Sequence, residues 1–440
     1  MKTLVTIAIV AAATTAAFAQ EAAEAITPET VAEVNKAVAT HVAPTAKGKV
    51  EADIKDYCEK AGITIGAPTK TGALYLKGIE RVSANVASPN FIRARSVAFA
   101  KAYQRAVASY VMDKFGRNIA ESYDTYFRDG STDALRPSAD AKDMLERIAE
   151  KSAQLTEAKL DEGLRSLGIT PSGSPVEKRV AMQDALVKKS LRNAVGSSAG
   201  LLPVQTFEGW DEAGRYAVGV VIRGGVDTET IAECLRLKMR PALSRPDAGM
   251  SVEEALPTDA ELVAQMGVRM FFDKDGVPAL LSFGQWGTSY SGSDPDVAEE
   301  ALDHALEQAE MEADDQLTMF INSTITVAQE SQRGEDKSRS ILFDANQVPS
   351  EQSITDYIDR LAKSSNMKGS DTMIGRSTVL KKTIDHPAEN GHKIAVCVRM
   401  WSFGQYDAMK RIIEKRPPAP SAAETPKTDA GTRRGRSYDF

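Results

Sequence analysis

Two short runs hold the residue types from which a ligand site is most readily built: Ser282-Phe283-Gly284-Gln285-Trp286 and Trp401-Ser402-Phe403-Gly404-Gln405-Tyr406. Aromatic faces stack on a sugar ring or a peptide side chain, and a neighbouring Gln amide both donates and accepts hydrogen bonds. If the strands that carry them are neighbours, Phe283, Gln285, Trp286, Trp401, Phe403, Gln405 and Tyr406 form a patch for a glycan or a protein partner. The competing reading is that the aromatics fill a core and the glycines admit tight packing, the commoner fate of such side chains.

Other chemistries lack support. The histidines are His41, His304, His386 and His392, and no pair has the i, i+4 spacing or the surrounding Glu of a zinc site. No nucleophile elbow, P-loop or dinucleotide fingerprint occurs. Asp273-Lys274-Asp275-Gly276 begins like a calcium loop, but no acidic ligand closes it, so it reads as a turn between strands. Cys58, Cys234 and Cys397 are too few and scattered for a disulfide framework. They read as three buried thiols, with one bridge and one free thiol as the alternative. No catalytic residue, metal ligand or cofactor is therefore expected, and the expectation is a non-enzyme. Across the 440 residues, 54 Lys and Arg stand against 61 Asp and Glu, which excludes the basic excess of a nucleic-acid binder.

The N-terminus reads as an export signal. Lys2 precedes an apolar run over residues 4–13, and Ala17-Phe18-Ala19 has the small-x-small pattern of a cleavage site, with Gln20 as the new N-terminus. No Cys follows that point, so a lipid anchor is not expected. Beyond the signal no apolar stretch reaches the roughly 18 residues of a membrane helix, and a periplasmic or secreted location follows.

The elements that must position the aromatic runs come in two copies. Leu202 to Phe207, a turn at Gly214, and Tyr216 to Ile222 read as a hairpin; Leu380 to Ile384, a turn at Asn390-Gly391, and Ile394 to Met400 read as a second, 178 positions later. A helix-forming stretch follows each, at 227–238 and 405–415. Before each hairpin stands a strand containing Gly78 or Gly284, then a long helix with Ala94, Ala98, Ala102 and Ala106, or Ala301, Ala305, Ala309 and Ala313. Asn90 and Asp296 are the expected N-caps. An Ala ridge at i+4 spacing lets a helix lie close to a sheet, and the small faces Ala217/Gly219 and Ala395/Cys397 are expected to receive it. The fold class is thus α+β: two repeated modules, each a small mainly antiparallel sheet with a long Ala-ridged helix on one face, plus helical insertions. The boundaries are a signal peptide at 1–19, a helical lead-in at 20–70, a first module at 71–245 with a helical insertion at 138–195, a second module at 265–416, and a disordered tail at 417–440. A further helix is expected at 351–363. The insertion reads as a packed helical hairpin with stripes at Leu145, Ile148, Leu155, Leu160, Leu164 and Leu167.

The segment Ser88-Pro89-Asn90-Phe91-Ile92-Arg93-Ala94-Arg95-Ser96-Val97-Ala98, continuing through Ala102 and Ala106, resembles the lipoprotein-20 and flagellar assembly protein T type of envelope domain. The resemblance implies an Ala-Arg-x-x-Ala-x-x-x-Ala helix packed on a small sheet that a later hairpin completes, and a non-catalytic scaffold or adaptor of the cell envelope with a protein partner. The second copy departs from it by placing acidic residues on the helix.

That departure gives the last expectation. Arg93, Arg95, Lys101 and Arg105 make the first long helix basic, whereas Glu299, Glu300, Asp303, Glu307, Glu310, Glu312, Asp314 and Asp315 make the second acidic. Opposite signs on equivalent helices invite a contact within the chain, or head-to-tail self-association, unless both faces simply meet water.

Overall fold

Helix and strand positions come from a computed structural model, which describes residues 45–127, 148, 150–237, 239–288, 290, 292–333, 375–387 and 392–415. Thr45 opens α1 (Ala46–Ala61), its hydroxyl accepting from the Gly48 N–H at 3.2 Å, and Gly62 closes it in the left-handed region at φ 64°. Strand β1 (Leu74–Arg81) leads to the long α2 (Phe91–Phe127). Next come α3 (Glu157–Ser166), α4 (Pro175–Gly196), β2 (Leu202–Trp210), β3 (Tyr216–Gly224) and α5 (Val226–Leu237). The one-turn helices α6 (Val252–Ala255) and α7 (Asp259–Leu262), each opened by a capping box, connect to the second half. That half comprises β4 (Gly267–Phe272), β5 (Pro278–Gly287), α8 (Pro295–Arg333), β6 (Arg376–Asp385), β7 (Lys393–Ser402) and α9 (Phe403–Lys415).

The repeat is structural. One sheet has the order β1-β3-β2, the other β4-β5-β7-β6, and every ladder is antiparallel. Without the additional edge strand β4, the strand order and sense are the same. The glycines mark the equivalence: a Cβ on Gly78 would stand 1.9 Å from the Ala102 carbonyl oxygen, and one on Gly284 1.8 Å from that of Ala309. The ridges of α2 and α8 therefore rest on the bare backbone of β1 and β5.

The constant spacing of 178 is not the structural one. Gly78 faces Val220, whereas Gly284 faces Cys397, so β3 and β7 correspond at 177. The outer strands share a bulge, at Val204 between Pro203 and Gln205 and at Val379 between Thr378 and Leu380, which sets their offset at 175. The second hairpin connection is two residues longer. A one-residue slip exchanges the faces of a strand, and this one overturns half of the packing expectation. Ala395 and Cys397 do meet the Ala305/Ala309 ridge. Ala217 and Gly219 face the other way, toward α1, with Val50 Cγ1 2.5 Å from where a Gly219 Cβ would lie. The first sheet is thus covered on both faces, by α1 and α2, which explains why β3 is almost wholly buried.

The insertion packs as a helical hairpin: Leu160, Leu164, Met182 and Leu186 are buried in the same core as Phe115 and Ile119 of α2. Asn90 holds the N-cap position of α2, its carbonyl accepting from Ala94 N–H at 2.9 Å. For α8 the cap is Asp294 rather than Asp296: its carboxylate accepts from the N–H groups of Asp296 (3.0 Å) and Val297 (3.4 Å), and Pro295 takes the first helical position. Asp273-Lys274-Asp275-Gly276 is a turn joining β4 to β5, with the Asp273 carboxylate accepting from Asp275 and Val277. The cleavage pair Ala19 and Gln20, the stretches 20–44, 351–363 and 417–440, and Leu145 lie outside the described residues. Among those described, no helix is long and apolar enough to cross a membrane.

Candidate functional site

The far face of the second sheet has no helix of its own module on it. Leu281, Phe283, Val396 and Val398 pack instead in one core with Phe91 and Ile92 of α2 and with Leu262, Val263 and Met266. The N-terminal half of α2 is therefore held between two sheets, and where they meet stand the buried polar groups Arg95, Ser96, Gln285 and His386.

Arg95 stands at the centre, fully buried. Its Nε donates to Glu208 Oε1 at 2.7 Å, its Nη1 to Gln285 Oε1 at 2.7 Å, and its Nη2 to the Val263 carbonyl. Glu208 lies on β2 opposite Val218 of the buried strand β3, and its side chain is 8% exposed. Tyr216 donates to its other oxygen, and His386 Nε2 lies 3.8 Å from that oxygen. Burial on its own would raise the Glu208 carboxyl; the Arg95 charge, with the nearby His386 and hydrogen bonds from Arg95 and Tyr216, outweighs it and holds the group at about 2. Burial, then the Glu208 charge, pushes the Tyr216 phenol up.

Gln285 completes the link. Its amide nitrogen donates to the carbonyls of Leu262 (2.6 Å) and Gln265 (2.6 Å), and its backbone carbonyl accepts from the Ser96 hydroxyl at 3.0 Å. First-module groups (Arg95, Ser96, Glu208, Tyr216) and second-module groups (Gln285, His386) thus form one network. Phe91 closes it on the apolar side, edge-on to Tyr216 at 4.9 Å and to His386 at 5.2 Å.

The aromatic patch is not assembled. Trp286 pairs with Ala395 and Trp401 with Leu280, on one sheet face but six register positions apart, about 20 Å along the strands. Trp401, Phe403 and Tyr406 are core residues packed on one another, Phe283 lies in the main core, and Gln285 is consumed in the junction. Gln405 is half-buried, its amide donating to the Ser377 hydroxyl at 2.8 Å. Trp286 is half-buried with the Arg93 guanidinium 5.5 Å above its ring. The third tryptophan, Trp210, passed over in the sequence, is the exposed one at 52%.

The expected contact between basic and acidic helices is also replaced. Among the described residues no ion pair joins α2 to α8. Arg95 turns inward to Glu208, and Arg105 pairs with Glu80 at 2.7 Å. Two of the acids of α8 are met by their own sheet: Arg399 reaches Glu310 and Asp314, each at 2.9 Å, with Lys381 on Glu310 and Arg376 on Asp314. The Lys381 hydrogen bond, joined by the charges of Arg399 and Arg376, holds the Glu310 carboxyl below its ordinary value. The ion pairs each of these helices makes with a sheet are thus to strands of its own module.

Residues 145–237 match a domain of unknown function (DUF6844). That match covers α3, α4, the β2–β3 hairpin and α5, hence Glu208, Trp210 and Tyr216 but not Arg95. The fold is similar to the 2.3 Å crystal structure of a hypothetical protein from Francisella tularensis, with a TM-score of 0.50 and 21% identity over 82% of this chain and 94% of that one. No curated protein matches the chain.

The three cysteines are free thiols, Cys58 and Cys397 buried and Cys234 partly so. Burial pushes the Cys397 thiol up to about 11, which removes it from nucleophilic chemistry near neutral pH. Among the described residues no group of three or more His, Cys, Asp or Glu is placed to hold a metal ion. One signal for the junction was present in the sequence: Glu208 is an acid within a strand that pairs with the near-continuous apolar run of β3, and an acid buried on such a strand requires a partner.

Proposed function

We propose that the chain is an exported, non-enzymatic protein of the cell envelope that acts as a scaffold or adaptor through protein contacts. The observation that carries this reading is the junction. A fully buried arginine, its charge balanced by Glu208 of its own module, reaches across to Gln285 of the other and so ties two copies of one α+β unit together. Breaking such a pair is far more expensive than leaving it intact, so it serves registry. A body that holds two faces at a set angle is what a spacer between partners needs. The export pattern at Ala17-Phe18-Ala19 and the envelope-domain resemblance of the α2 segment support the same reading.

The test is fractionation of the native host, with mass spectrometry of the N-terminus and in-cell cross-linking of the wild type and an Arg95→Met variant. The reading expects a chain beginning at Gln20 in the envelope fraction, and a cross-linked partner whose yield falls in the variant. An intact Met1 on folded cytoplasmic protein would contradict it.

A further inference from the structure

The ion pairs inside the chain leave the outer faces of both long helices uncompensated. Asp296, Glu299, Glu300, Asp303, Glu307 and Asp315 of α8 are exposed, and no Lys or Arg stands in that helix before Arg333. Glu299, Asp303 and Glu307 follow one another at i+4 spacing, where like charges repel along a helix. None of the six has an ion pair among the described residues, whereas Glu310 and Asp314 on the flank do. Helix α2 is the converse. Arg93 and Lys101 are exposed without an ion pair among the described residues, and α2 contains no Asp or Glu before Asp113. Arg93 also stands in the first turn, where the helix dipole opposes a cation.

The two faces match in spacing. On α2, Arg93, Val97 and Lys101 fall at i, i+4 and i+8, and Val97 between the charges is 43% exposed. On α8, Glu307, Met311 and Asp315 repeat that spacing with the opposite sign, and Met311 is 59% exposed. Each stripe is an apolar side chain between two like charges, over about 12 Å of helix. Laid together in either direction, the stripes set a base against an acid at both ends and Val97 against Met311 at the centre.

One chain does not make this contact with itself. Helix α8 lies on the face of the second sheet that carries Ala395 and Cys397, and α2 packs on the opposite face with Leu281, Phe283, Val396 and Val398. The sheet stands between the helices, and the exposed side of each looks outward.

We propose that the α2 face centred on Val97 docks on the α8 face centred on Met311 of a second copy of this chain. The two faces differ and lie on opposite sides of the second sheet, so a pair of copies still offers one of each. Association is therefore head-to-tail and continues past the dimer. The charges are exposed, which makes the contact weak and salt-sensitive. It rests on these two faces and does not require the adaptor reading.

The experiment is analytical ultracentrifugation of the mature chain from about 10 μM to 1 mM, at about 0.05 M and 1 M salt. At low salt the average mass should rise with concentration and pass that of a dimer; at high salt it should return to the monomer. Two charge-reversed variants are then compared, Arg93→Glu with Lys101→Glu, and Glu307→Lys with Asp315→Lys. Each alone should have its dissociation constant raised about tenfold or more. An equimolar mixture of the two should associate again, because every contact between unlike variants joins opposite signs, and that recovery also shows both to be folded. Three results on the wild type overturn the proposal: a mass independent of concentration, a mass that stops at the dimer, or association equal at the two salt concentrations. So does association that either pair of reversals leaves intact, or a mixture of folded variants no more associated than its components.

Discussion

The two modules share strand order, a bulge and a glycine beneath an alanine ridge, yet their interiors are chemically different. Aligned on Gly78 and Gly284, Leu76 of the first module corresponds to Ser282 of the second, and Ile222 to Arg399. Ser282 donates to the Ala313 carbonyl at 2.6 Å, and Arg399 meets Glu310 and Asp314. At these two positions the helix of the first module meets its sheet through apolar contact, that of the second through polar anchors. The far faces differ more. The first sheet is closed by its own α1, the second by the first module's α2 together with residues 252–266. Equal topology does not make equal autonomy: the second module borrows its closing layer, and Arg95 and Glu208 secure the loan.

The largest effect is expected where the modules depend on each other. Arg95→Met leaves Glu208 buried without its cation and should cost about 3–5 kcal/mol. Arg399→Met should cost clearly less, because Lys381 and Arg376 still serve the carboxylates. Urea midpoints of the two variants test this, and equal losses would break the comparison. Next in size, Gly78→Ala and Gly284→Ala each drive a methyl into a helix carbonyl and should each cost about 3 kcal/mol. A tolerated substitution at one site alone would show that the ridges are not equivalent.

Acid should single out the junction. The Glu208 pKa is lowered in the folded chain, so its contribution is complete above the ordinary value of 4.5 and is lost as pH falls toward about 2. Over that range the stability of the wild type should fall more steeply than that of Glu208→Gln, as measured by denaturant midpoints at several pH values. The smallest effect is local: Thr45→Ala removes the cap of α1 and should cost about 1 kcal/mol, with hydrogen exchange increasing in α1 and β1 before β5 and β7.

The periodic features were legible in the sequence: hairpins, alanine ridges and the glycines that receive them each carry a repeat that needs no tertiary information. The bulges at Val204 and Val379 were not, since one extra residue leaves composition unchanged while altering which face a strand shows. Nor was the offset of 177 between β3 and β7, which is why Ala217 and Ala395, equivalent at spacing 178, point to opposite layers. Arg95 read as a surface residue because it lies in a basic helix; only the arrival of a second sheet on that helix buries it. Trp286 and Trp401 do lie on adjacent strands and on one face, but their separation depends on register, which local pattern does not specify. Strand β4 shows in the sequence only as one side of an Asp-Gly turn.

The central claim is that α2 and the Arg95–Glu208–Gln285 junction make the two modules one cooperative unit. The most direct measurement is equilibrium unfolding followed separately in each module, by hydrogen exchange read on peptides from β3 and from β7 across a denaturant series. The account predicts that both strands lose protection at one midpoint in the wild type, and that in Arg95→Met β7 opens at lower denaturant than β3. Separate midpoints for β3 and β7 in the wild type would contradict it.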